Sequence, residues 1–431
     1  MTSLFSSPID FDKEKLLNAW VEKHLGKEMF SRGLERLGKV LASIKIEIKH
    51  RDIKVIIVAG TNGKGETCHA VSSFFEGRIS HGLWTSPHVL SIRERFVFDG
   101  TMISVERMSS LLEETLIFVE EFGVQLSYYE FLLVAFLRES LSRNVKGLIL
   151  EVGIGGRLDG VNMIEPDLTA ITSIARDHEN VLGVGFKNIL FEKLGITRSG
   201  VPLVTSLESQ YLRSFVDVFS KARGIEWSDL FAEGTLKLDM DYSKRNLLLA
   251  RCLAQRFLGQ YFPQTLPLSD KFEMRTTPGR MDQKHWKGVY WTFSGSHNLD
   301  GTRKLVQRLE GEHHHFDLVL CAFSIRPERE IRSMLVLLAS LAGTKGPFVT
   351  SFSHHKAMSL KNIQQTVPDL SQLHWVDDWK NWCSQQTVVP VNILVTGSYY
   401  FVGEVMSYIL ANDKPTKPDA FLDDCPSSSR Q

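Results

Sequence analysis

Lys64 stands in the run Gly60-Thr61-Asn62-Gly63-Lys64-Gly65-Glu66-Thr67, directly after five apolar residues, Val55 to Ala59. Glycines let successive backbone N–H groups curl around an anion, a following helix adds the positive end of its dipole, and a lysine reaches the outer phosphates. Thr61 to Thr67 are therefore candidate contacts to a nucleotide triphosphate, with Lys64 placed to act on the transferred phosphoryl group. The run departs twice from the strict phosphate-loop pattern, because Val58 occupies the first glycine position and Gly65 follows the lysine. Glu66 is the third oddity. It fills the slot where a Ser or Thr hydroxyl normally helps to hold Mg²⁺, and a carboxylate there repels a triphosphate unless a cation lies between them. Three outcomes stay open: Glu66 is itself a metal ligand, Thr67 supplies the hydroxyl, or nucleotide use is altered.

Other reactive residues follow short apolar runs. Glu151 ends the run Gly147 to Glu151 and precedes Val152-Gly153-Ile154-Gly155-Gly156-Arg157-Leu158-Asp159. The run Leu168 to Ile171 delivers Thr172-Ser173 and then Arg176-Asp177-His178. In open parallel sheets ligands gather beyond the carboxyl ends of the strands, so these outputs belong beside the Lys64 loop, where Glu151 is a natural hard-cation ligand.

The elements that must hold them alternate. Residues before about Asp52 carry an apolar stripe at helical spacing, Leu34, Leu37, Val40, Leu41 and Ile44. Strands are expected at Val55–Ala59, Phe96–Phe98, Gly147–Glu151, Leu168–Ile171 and Val201–Thr205, with helices at about Val105–Phe122 and Tyr128–Leu141. Strands alternating with helices imply a parallel sheet covered on both faces. A second rhythm follows Pro278-Gly279-Arg280, with strands at Val289–Phe293, Phe316–Cys321, Pro347–Thr350 and Val391–Val395 and helices at Asp300–Leu309 and Glu328–Leu341. The expected division is a domain over residues 1–275, a junction near Lys271 to Arg280, a domain over 280–411, and a disordered polar tail over 412–431.

Composition narrows the function classes. A chain of 431 residues is long for one core, and 43% hydrophobic with 23% charged residues is ordinary for a globular protein. Lys+Arg and Asp+Glu both total 50, which argues against a nucleic-acid-coating or polybasic membrane surface. No apolar run approaches a membrane span, the longest being Phe131 to Leu137. The acidic start, Asp10, Asp12 and Glu14, lacks the plan of a signal peptide. Five scattered cysteines, Cys68, Cys252, Cys321, Cys383 and Cys425, look like reduced thiols and neither a disulfide frame nor a zinc site. His313-His314-His315 reads as a solvated strand entry. The expectation is a cytoplasmic monomer that binds no nucleic acid and no membrane.

Several segments appear in a recognisable order: Gly60 to Thr67, Thr85-Ser86-Pro87-His88, Arg93-Glu94-Arg95, Glu151 to Asn162, Asp177-His178 with Leu182-Gly183, Glu192 to Ile196, Pro278-Gly279-Arg280, His297-Asn298 and Val395 to Ser398. This order resembles the folylpolyglutamate synthase and dihydrofolate synthase family, the folate branch of the Mur ligase superfamily, from about residue 30 to about residue 410. The Glu-Val-Gly-x-Gly-Gly-Arg-Leu-Asp stretch is its most specific part. The resemblance implies an N-terminal phosphate-loop ATPase-like domain with a parallel sheet and a smaller, Rossmann-like C-terminal α/β domain. It implies Mg²⁺ held by Ser86, Glu151 and His178, a carbamylated Lys193, phosphate contacts from Asn62 and Lys64, and Arg280 and His297 closing on ATP from the second domain. The implied reaction phosphorylates a carboxylate of dihydropteroate or a reduced folate and passes the acyl group to the amine of L-glutamate.

Beyond Glu66, two departures touch the pattern. Ser294 stands where the family has an aspartate that meets the ribose, and a serine lacks the charge-assisted bond of a carboxylate. Ser324-Ile325-Arg326-Pro327-Glu328 replaces an Asp-Lys-Asp segment. Two other readings therefore stand beside the folate ligase: a different Mur-type amino acid ligase, and a catalytically weak relative that binds folate or nucleotide.

Overall fold

The computed structural model describes residues 9–27, 34–268, 277–312, 316–342, 346–386 and 391–413. The histidine run at 313–315, most of the expected junction and nearly all of the C-terminal tail lie outside them.

Two helices, Phe11–Leu25 and Glu35–His50, precede the first strand, and the apolar stripe of the second is buried. Eight strands then build one sheet: β1 Lys54–Ala59, β2 His81–Trp84, β3 Val97–Phe98, β4 Thr101–Met102, β5 Gly147–Glu151, β6 Leu168–Ile171, β7 Leu203–Thr205 and β8 Trp227–Asp229. Their order is β4-β3-β2-β5-β1-β6-β7-β8. Central β1 pairs in parallel with β5 and β6, so Val58 lies level with Glu151 and Ala59 with Ile171. That register brings the Lys64 loop, Glu151 and the segment leading to His178 to one edge. Apolar cores cover both faces.

A second sheet takes the order β13-β12-β11-β14-β10-β9, from β9 Arg280–Trp286, β10 Val289–Ser294, β11 Leu318–Cys321, β12 Pro347–Val349, β13 His374–Trp375 and β14 Asn392–Thr396. It too lies between two apolar clusters. The α/β class and both strand rhythms are as expected. Neither sheet is wholly parallel, however: β3 and β4 form an antiparallel margin, and β9 pairs antiparallel with β10. Phe96 falls outside its expected strand, because the turn Ile92–Arg95 ends on it. The strand expected from Val201 starts at Leu203.

Candidate active site

The loop after β1 depends on missing side chains. Gly60 (φ 149°) and Gly63 (φ 84°) hold backbone angles that favour glycine. A Cβ on Gly60 would collide with the Thr172 hydroxyl, and one on Gly63 would lie 2.6 Å from the Tyr242 hydroxyl. The loop is also laced to the end of β6. Thr61 N–H donates to the Ser173 carbonyl at 2.7 Å, Asn62 N–H to the Ser173 hydroxyl at 3.0 Å, and the Thr172 hydroxyl to the Asn62 carbonyl at 2.7 Å. Lys64 begins the helix Lys64–Phe75 and reaches back to the Thr61 carbonyl at 3.3 Å.

Around this loop a cleft of about 880 Å³ opens between the two sheets, within the range of small-molecule sites. Thr61, Asn62, Gly63, Lys64, Gly65, Glu66, Ser86, Glu151, His178, Lys193, Arg280, Ser294 and His297 all line it. Thr67 does not. Its hydroxyl is wholly buried behind the loop with no hydrogen-bond partner, so of the three readings of the Glu66 anomaly the one through Thr67 has no geometry in its favour.

Glu151 is 2% exposed at the end of β5, and its Oε2 accepts the Ser86 N–H at 2.9 Å. Burial raises its pKa, opposed by the charges of Lys64 and Arg280. His178 adopts a left-handed backbone angle (φ 53°) at the start of a short turn and keeps 46% of its side chain open. Lost hydration, with His297, Lys64 and Lys193 nearby, lowers its pKa against the pull of Asp177, which favours the neutral form that can coordinate a metal. One hydroxyl, one carboxylate and one neutral imidazole suit a divalent cation that leaves other positions to phosphate oxygens and water, as Mg²⁺ prefers. Among the described residues no three His, Cys, Asp or Glu side chains converge on one point.

Lys193 is 3% exposed. Its Nζ donates to the Gly60 carbonyl at 2.9 Å, and burial, assisted by the Lys64 charge, lowers its pKa to about 7. The Glu151–Asn162 segment clamps this position. Arg157 pairs with Glu192 at 2.9 Å, and Asn162 donates to the Gly195 carbonyl at 3.1 Å.

From the other sheet comes Arg280, at the start of β9. A Cβ on Gly65 would collide with its guanidinium. Burial pulls its pKa down, yet Tyr399, Glu151, Glu66 and Tyr242 together outweigh that and hold it above its ordinary value. Ser294 reaches Ser296, hydroxyl to hydroxyl, at 3.1 Å. His297 lies 3.5 Å from Asp177. Asn62 turns its amide across the cleft, donating to Asn298 at 3.2 Å and to Asp300 at 2.9 Å. Asn298 donates in return to Asn62 at 3.0 Å and to Asp177 at 2.8 Å.

No family model matches the chain. It is 38% identical over 370 residues to the dihydrofolate synthase/folylpolyglutamate synthase of Buchnera aphidicola subsp. Schizaphis graminum, covering 81% of this chain and 87% of that one. The chain belongs to this family. Within the dihydrofolate synthase/folylpolyglutamate synthase family, the Bacillus subtilis member is 26% identical over 426 residues, 90% of this chain and 97% of its own. The fold is shared with the bifunctional enzyme of Yersinia pestis solved with AMPPNP and a Mn ion, at TM-score 0.72 and 24% identity, covering 94% and 99% of the two chains.

Some residues in or behind the cleft wall escape sequence reasoning. Asn246 donates to Glu66 Oε2 at 2.7 Å from 180 residues away, and Tyr242 lies one turn earlier on the same helix, Tyr242–Tyr261. Their spacing marks one helix face and nothing more. Tyr129, one of the aromatics near Ser127 that could be core or contact, lines the cleft and donates to Asp159 at 3.1 Å, while Phe131 is buried.

Proposed function

We propose that this chain is an ATP-dependent ligase that joins L-glutamate to dihydropteroate, to reduced folates or to both through an acyl phosphate. The observation that carries this reading is the meeting, in one cleft, of the Lys64 loop and Glu151, His178 and Lys193 from one sheet with Arg280 and His297 from the other. Carboxylates are poor electrophiles, and phosphorylation gives them a leaving group. The γ-phosphoryl of ATP passes to the acid, ADP is formed, and the glutamate amine then attacks the acyl carbon and expels phosphate.

The residues divide this work. Backbone N–H groups of Gly63 to Gly65 cradle the phosphates, and Lys64 neutralises charge on the transferring group. Ser86, Glu151 and His178 would hold Mg²⁺, which offsets phosphate charge when bound. Arg280 enters the same space from the second sheet, so its arrival coincides with exclusion of water from the labile acyl phosphate. Lys193, half neutral near pH 7, is suited to react with CO₂, and its carbamate would replace a buried positive charge with a negative one beside the metal. We place the domain division between residues 275 and 280 and expect a cytoplasmic monomer without nucleic-acid partners. Among the described residues no helix is long and apolar enough to cross a membrane.

Glu66 favours a second reading, a weak relative that binds without turnover, because a carboxylate stands where the loop usually carries a hydroxyl and lines the cleft. ADP release with dihydropteroate, tetrahydrofolate or a muramyl acid, each with and without L-glutamate, separates the readings. Release that needs both a pterin acid and glutamate supports the ligase. Release with the muramyl acid alone, or with none, overturns it.

A further inference from the structure

Asp282 has no part in the chemistry described so far, yet it closes the turn that carries Arg280. Strand β9 meets β10 through a bulge: Asp282 lies opposite Phe293, and the next partners are Arg280 and Ser294. Met281 is the extra residue. Its backbone is left-handed (φ 62°), as is that of Gly279 (φ 67°), and a methionine there is strained because its Cβ crowds the following carbonyl. The bulge decides where Arg280 goes. Regular pairing would set Arg280 opposite Gly295 and on the face of Asp282, whereas the inserted residue sets it opposite Ser294, on the other face. Arg280 and Ser294 both line the cleft.

The bonds that hold this strained turn are local. Asp282 Oδ1 accepts the Gly279 N–H at 2.9 Å, so the carboxylate spans the bulge from one side to the other. The Gly279 carbonyl accepts the Gly295 N–H at 2.6 Å, and the Arg280 N–H donates to the Thr277 carbonyl at 3.2 Å. Burial raises the Asp282 pKa to about 6, against the Gly279 N–H and the charge of Lys284. At neutral pH the carboxylate is therefore ionised, and its bond to Gly279 is charge-assisted. The turn also stands where the two sheets meet, since a Cβ on Gly279 would come within 3.2 Å of Val402 and 3.4 Å of Val89.

We propose that Asp282 is a positioning residue whose carboxylate clasps the bulge at Met281 and so holds the Arg280 guanidinium in the gap above Gly65. The assignment rests on the nucleotide site of the reading above and adds a residue that acts on that site through Arg280 alone. Without the clasp the strained turn relaxes, and the guanidinium spends most of its time outside the gap.

Calorimetric titration of the full chain with AMPPNP and Mg²⁺ tests this. Asp282→Ala is expected to weaken AMPPNP binding roughly ten- to a hundredfold, the loss of a hydrogen bond to a charged group, and by no more than Arg280→Ala does. In the Arg280→Ala background the same substitution should change nothing further, whereas a merely destabilising change would weaken both proteins alike. Asp282→Asn keeps a neutral acceptor of the same shape and should lose about three- to tenfold; it carries the comparison if the alanine variant does not fold. Wild-type affinity in the folded Asp282 variants, or equal losses with and without Arg280, overturns this assignment alone. Wild-type affinity in Arg280→Ala overturns it too, because Asp282 would then have nothing to act through. A wild-type chain that does not bind AMPPNP overturns the nucleotide site and this assignment with it.

Discussion

Replacing Lys193 with methionine should stabilise the protein at neutral pH while abolishing turnover. The ammonium is buried, and its pKa falls from the model-compound 10.5 to about 7. The unfolded chain therefore binds the proton more tightly, and stability rises with pH between about 7 and 10.5. At 1.36 kcal/mol per pKa unit, the buried lysine costs about 4 kcal/mol at pH 7 and about 2 kcal/mol at pH 9. Methionine is free of that penalty but loses the hydrogen bond to the Gly60 carbonyl, about 1 kcal/mol. The variant should thus gain about 3 kcal/mol at pH 7, about 1 kcal/mol at pH 9, and lose slightly above pH 10.5. Urea unfolding of both proteins at pH 7 and pH 9, in buffers stripped of CO₂, reads the difference. Adding bicarbonate should shift the wild type alone. Destabilisation by a similar amount at both pH values would refute the reasoning, because it would mean the amine is hydrated or ion-paired in the folded state.

Lys64→Ala removes the loop's own cation and should eliminate ADP release with the fold retained by circular dichroism; near-normal ligation would mean that the loop is not the ATP site. Glu66→Ser restores the usual hydroxyl and should keep or improve ATP use, whereas Glu66→Ala should weaken Mg²⁺-dependent nucleotide binding by calorimetry; tighter binding in the alanine variant would make Glu66 an obstruction. Asn62→Ala breaks three hydrogen bonds across the cleft and should raise KM for ATP by about tenfold, roughly one net hydrogen bond, with a larger radius of gyration by small-angle scattering; an unchanged radius would show that closure does not depend on this pair.

The strands that carry the chemistry were legible because they are buried on both faces and read as continuous apolar runs. Gly147–Glu151 and Leu168–Ile171 fall where their composition places them. The strands that sequence reasoning missed lack a continuous apolar run. β9 is Arg-Met-Asp-Gln-Lys-His-Trp, a polar edge strand held by its antiparallel neighbour. β2, His-Gly-Leu-Trp, is four residues long and contains a glycine, so propensity gave no warning of a strand buried between β3 and β5. In the cleft, the residues following β1, β5 and β6 were readable from strand-end logic. The partners of Glu66 and Asn62 were not, because Asn246 and Asn298 lie 180 and 236 positions away, and only the folded chain brings them near.

Gly65 has a consequence for how nucleotide affinity should be understood. Its missing Cβ leaves the volume that the Arg280 guanidinium fills from the other sheet, so on the proposed reading part of the phosphate cradle would come from the second sheet. A site built that way would be bipartite, and its dissociation constant would carry the association equilibrium of its two halves. If roughly one molecule in ten is assembled at a given moment, affinity is about tenfold weaker than that of the assembled cradle. Substitutions far from the phosphates that favour or oppose assembly would rescale ATP affinity without touching a single phosphate contact, and the two halves expressed as separate chains should bind nucleotide only when mixed.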